Sequence, residues 1–153
     1  MDKLAEVETA KALMTEAMSW SVMKWLREKK RVRQAADRAN AALDRLSESV
    51  KKRWNSGLKA AYEVLVAQMA SGTSADRAKK PPLPMADPEA TLIVRKVKEA
   101  DDEAYRARMD AEKTFDDAER QLSTSLAREG CRKAIQGWEL HEKAIRKAEA
   151  VID

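Results

Sequence analysis

The chain has 153 residues, of which 37% are charged and only 5% aromatic, and its formal net charge is +4. One domain is expected at that length, and a composition led by alanine, glutamate, lysine, arginine and leucine points to long packed helices rather than a thick globular core. So mild a charge does not by itself call for nucleic acid or a membrane surface, and no stretch approaches the ~20 apolar residues of a membrane span.

In the first arm, residues 2–70, apolar or small side chains recur at Leu4, Val7, Ala10, Met14, Met18, Val22 and Trp25. They resume at Val32, Ala36, Ala39, Leu43, Leu46, Val50, Trp54, Leu58, Ala61, Leu65 and Met69. Steps of three and four put these on one helical stripe. Asn55-Ser56-Gly57 is the one internal turn signal, and because the stripe stays in phase across it, Gly57 is expected to sit inside a continuous helix.

Two stretches of this arm exceed what a simple stripe needs. Between Leu13 and Leu26 the chain is apolar nearly all round, whereas one antiparallel neighbour covers only a stripe of about 100°. Further cover is therefore expected, from a second copy, a partner protein or a local fold-back. Just beyond, Lys24, Arg27, Lys29, Lys30, Arg31 and Arg33 form a basic run suited to phosphate groups.

The segment 71–87 holds Gly72 and three of the four prolines, and it reads as the turn on which the chain reverses. Asp87-Pro88-Glu89 then signals a helix start: a capping carboxylate, a proline in the first turn and an acid facing the helix dipole. The second arm, 88–152, repeats the period through Ile93, Val97, Ala100, Ala104, Arg108, Ala111, Phe115, Ala118, Leu122, Leu126, Gly130, Ala134, Trp138, His141, Ile145, Ala148 and Ile152. Gly130 lies on this seam, where either a hinge or the close approach of another helix would explain it.

The fold expected is all-α: one helical-hairpin domain over 1–153, a long antiparallel, coiled-coil-like two-helix hairpin able to dimerise into a four-helix bundle. With 72 opposite 87, facing residues have numbers that sum to about 159. That register sets the acidic stretch 99–119 against the basic-leaning 40–60. It also brings Ile135, Trp138 and Leu140 level with Met14, Met18, Trp20, Met23, Trp25 and Leu26, the nine forming the expected association surface. Arg128, Arg132 and Lys133 fall beside the basic run, so that like charge would meet like.

Chemistry is sparse. Cys131 is the single cysteine and His141 the single histidine, which rules out an ordinary structural zinc site within one chain. The glycines form no phosphate-cradling loop, and the carboxylates read as solvent-facing, leaving no pocket for acid–base work. No cofactor, metal or catalytic residue is expected. Cys131 has no partner for an internal disulfide, and the opening residues carry no apolar run of a secretion signal, so a cytoplasmic place is expected. The reading is a non-catalytic scaffold or adaptor whose partner is itself or another protein, without membrane insertion. The alternative is a basic module that binds nucleic acid through the 24–38 cluster.

Overall fold

The computed structural model describes residues 4–70 and 87–152, so the expected turn lies outside it except for Asp87. Among the described residues the protein is all-helical, without strands. The five helices among them are α1 (Ala5–Ala17), α2 (Val22–Lys52), α3 (Ser56–Ala70), α4 (Pro88–Gln121) and α5 (Thr124–Ala150).

Each expected arm is broken, so the described residues do not form a hairpin of two uninterrupted rods. The breaks have local causes. Ser21 stands outside the helical region (φ −70°, ψ 163°), and its hydroxyl accepts from Lys24 N at 3.2 Å, starting α2 after a turn at Met18–Trp20. Asn55 Oδ1 accepts from Leu58 N at 2.9 Å and starts α3 in the same way, so the expected continuous helix through Gly57 ends instead at Lys52. Ser123 caps α5 by accepting from Leu126 N at 3.1 Å. Just before it, Leu122 adopts the left-handed conformation (φ 51°) and reverses the chain. The cap expected at Asp87 is present, its carboxylate accepting from Glu89 N at 3.2 Å with Pro88 in the first turn.

These turns fold the second arm onto itself. The α4–α5 pair makes the most extensive packing in the molecule, with further contacts between α1 and α2, α2 and α5, α3 and α4, and α1 and α5. Gly130 is where α5 presses hardest on α4, since a Cβ there would lie 2.5 Å from Phe115 Cδ1. Close approach, and not a hinge, accounts for that glycine.

Helix α2 runs antiparallel to α4 and parallel to α5. On the α4 side Arg33 meets Asp116 and Glu119, Asp44 meets Arg108, and Lys51 meets Asp101. On the α5 side, Asn40 bonds Trp138, and Trp54 Nε1 donates to the Ala148 carbonyl at 2.8 Å, satisfying one of the otherwise unpartnered C-terminal carbonyls of α5. The α2–α4 register is shifted by about seven residues, two turns, from the sequence expectation. The opposite charges meet as expected in sign.

The core runs along the inner faces of all five helices. Val7, Met14, Trp25, Val32, Leu43, Val94, Val97 and Cys131 are its largest fully buried side chains. Helix α1 lies over α2 and α5, held at its middle by Lys11 Nζ, 2.9 Å from Glu142 Oε1. Burial opposes the Lys11 charge, but the Glu142 hydrogen bond and charge outweigh it and raise its pKa.

Candidate functional site

Three regions carry the residues singled out in the sequence. The first is the end of the bundle where α1 stops, α2 begins and α4 turns into α5. Of the nine expected association residues, Met14, Trp20, Trp25 and Trp138 are buried within the chain itself. Met18, Leu26, Ile135 and Leu140 are half-buried, and Met23 alone is exposed, at 64%. The circumferentially apolar stretch is covered largely by fold-back of α1, one of the explanations it allowed. Trp25 stacks on Phe115 with ring centroids 5.2 Å apart, while the indole N–H groups of Trp20 and Trp25 are buried without a hydrogen-bond partner among the described residues. Leu122, 60% exposed, stands at the same end as Met23.

The second region is the basic cluster. The fold-back brings α4 carboxylates onto it, so like charge does not meet like. Arg33 binds Asp116 at 2.7 Å and Glu119 at 2.9 Å, and Lys29 lies 3.9 Å from Glu119. The two α4 carboxylates raise the Arg33 pKa against the opposing effect of burial. Lys133 pairs with Asp110 at 3.1 Å and donates to Thr114, Arg31 pairs with Glu28, and Arg132 with Glu129. Lys24 rests over the Trp20 ring, 5.1 Å from its centroid. Among the described residues Lys24, Arg27, Lys30 and Arg128 make no ion pair. Four of the nine cations are thus without an ion pair among the described residues.

The third region is a cleft that gathers charged side chains of both signs. The backbones of α2 and α4 hardly touch, and the space between them, floored by α5, forms a polar cleft of about 640 Å³. Asp44, Glu48, Asp101 and Asp102 face Lys51, Lys98, Arg108 and His141 there. Ion pairs lace the cleft: Lys51 to Asp101 at 2.6 Å, Lys98 to Asp102 at 2.6 Å and Arg108 to Asp44 at 3.3 Å. Burial works against the Lys51 ammonium, yet the Asp101 hydrogen bond and charge, with help from Tyr62, raise its pKa. His141 is half-buried, and burial lowers its pKa, favouring the neutral ring, although Asp44 and Asp101 act in the other direction. The ring makes no hydrogen bond to any described residue, and neither does the hydroxyl of Ser47, only 8% exposed on the α2 wall.

Asn40, Ser47 and Leu122 are the positions sequence reasoning passed over or misread. Asn40 and Ser47 had a signal: with Ala36, Leu43, Val50 and Trp54 they keep the helical period, so small polar residues stand in phase with the core. Leu122 had none, since a leucine on a helical stripe gives no sign of a left-handed backbone.

No group of three or more histidine, cysteine, aspartate or glutamate side chains among the described residues is placed to hold a metal ion. Cys131 is fully buried, and burial pushes its thiol up to about 12, leaving almost no thiolate at neutral pH. No described helix is long and apolar enough to cross a membrane. Comparison with family models, with curated proteins and with solved structures returned no match.

Proposed function

We propose that this chain is a non-catalytic helical scaffold or adaptor that associates with a second copy of itself through the end face carrying Met23 and Leu122. Leu122 is the observation behind this reading. A left-handed backbone costs an L-residue with a side chain about 1–2 kcal/mol, and glycine or asparagine is the usual occupant of such a helix terminus. Here the position holds a leucine that is 60% exposed, so little packing within the chain compensates for the strain. A partner surface would. Met23, also exposed, and Met18, Leu26 and Leu126, half-buried at the same end, would extend the contact with adaptable apolar side chains.

The test separates stability from association. Leu122→Gly relieves the backbone strain and removes the apolar contact, so the isolated chain should gain about 1 kcal/mol while the dimer dissociation constant rises at least about tenfold. Denaturant melts and sedimentation velocity, with Met23→Ser as a second variant, read the two quantities. A native protein that sediments as a monomer at its highest soluble concentration would sink self-association. Salt-sensitive binding of DNA or RNA, lost on reversing the charge of Arg27, Lys30 and Arg128, would put the nucleic-acid reading in its place.

A further inference from the structure

Between α2, α4 and α5 lies a second, smaller cavity of about 100 Å³, with Asn40 in its lining. A cavity of about 150 Å³ holds benzene, so this one has room for about four heavy atoms. Asn40 is only 6% exposed, and its Oδ1 accepts from Trp138 Nε1 at 2.9 Å. An indole nitrogen can only donate, so the amide oxygen must face Trp138 and the NH₂ group must turn away from it. Neither amide proton finds an acceptor among the described residues. The amide nitrogen keeps contact with solvent, so its two donors stay open to a molecule that enters from the cavity side.

The remaining surroundings define what would complete it. Phe115 and Trp138 supply apolar surface. Arg33 and Arg108 line the cavity too, but Arg33 is held by Asp116 and Glu119, and Arg108 by Asp44. Asp37 and Glu112, both exposed on the rim, carry no ion pair among the described residues. With both guanidinium groups already held by carboxylates, the charges left without an ion pair at the opening are those of Asp37 and Glu112, which disfavours an anion. We infer that the cavity binds a small uncharged molecule bearing a carbonyl oxygen, which accepts from Asn40 Nδ2 while its aliphatic part packs on Phe115 and Trp138.

The experiment follows the four indole N–H resonances of the ¹⁵N-labelled protein during titration with acetamide and, separately, with acetate. The Trp138 signal is assigned by its loss in Trp138→Phe, and Trp20, Trp25 and Trp54 serve as internal controls. Acetamide should shift the Trp138 resonance saturably, with a dissociation constant on the order of millimolar for so few atoms. Acetate should bind at least about tenfold more weakly. Asn40→Asp keeps an acceptor for Trp138 but lacks the donors, and should weaken acetamide at least about tenfold. Because a buried carboxylate could unfold that variant, Ala36→Leu provides an independent arm: it fills the cavity from the α2 wall, leaves the Asn40–Trp138 bond in place, and should abolish the shift. An unresponsive Trp138 signal in the folded native protein, equal binding of acetate, or undiminished binding by folded Ala36→Leu would each overturn the inference.

Discussion

Replacing Trp25 by alanine should cost about 3–5 kcal/mol of folding stability, the usual range for truncating a buried aromatic side chain. Trp25 is 1% exposed and stacks on Phe115 with an interplanar angle of 20°, so its removal opens a cavity between α2 and α4 at the level where α5 also packs. Urea denaturation is the measurement, with the midpoint falling and the slope unchanged. The sequence reading of Trp25 as an interface residue leads to a different result, a variant that loses its partner but keeps its own stability. Trp25→Phe sharpens the comparison. The indole N–H is buried without a partner among the described residues, a liability that phenylalanine does not have, so part of the lost packing should be offset and the cost should stay near about 1 kcal/mol. A Trp25→Ala protein as stable as the native chain would mean that this end of the bundle is not packed as described.

Gly130→Val should be the second severe change, destabilising by about 1–3 kcal/mol through overpacking. The added Cβ would fall 2.5 Å from Phe115 Cδ1 and 2.6 Å from Cε1, and the ring cannot readily retreat because Trp25 lies stacked against it. Any side chain in place of a mid-helix glycine gains up to about 1 kcal/mol in propensity, so the penalty read in a denaturant melt is what survives that gain. Phe115→Leu made in the same chain should recover part of the loss. Such non-additivity between two residues in contact is the signature of a clash rather than of a weakened helix. Additive effects of the two substitutions would refute the close approach.

Helical periodicity and composition made the all-α class legible, and the Asp87-Pro88-Glu89 start was readable because a cap is a local device written in adjacent residues. Gly130 was readable only as either a hinge or a point of close approach, because a glycine in phase with the core fits both, and it is the Phe115 ring 2.5 Å from a Cβ there that decides for close approach. The turns at Ser21, Asn55 and Ser123 were not readable. A serine or asparagine costs little inside a helix, and at each break the apolar stripe continues in phase on the far side, so period alone cannot report the interruption. What decides for a turn is burial gained by helices distant in sequence, as when α1 covers the apolar surface around Trp25 and α5 lies along α4. The meeting of like charges expected at the basic cluster fails for the same reason: the carboxylates Asp110, Asp116 and Glu119 reach it only after α4 and α5 have folded together.

The serine turn before α2 and the Leu122–Ser123 reversal also bear on how quickly the native state is reached. Each joins two helices that then pack on each other, so α1 with α2 and α4 with α5 can form by closing short loops, at little entropic cost. The docking of these two preformed pairs, and the packing of α3 on α4, then bring together segments far apart along the chain. A topology so rich in local pairing belongs with the helical proteins that fold in microseconds to milliseconds.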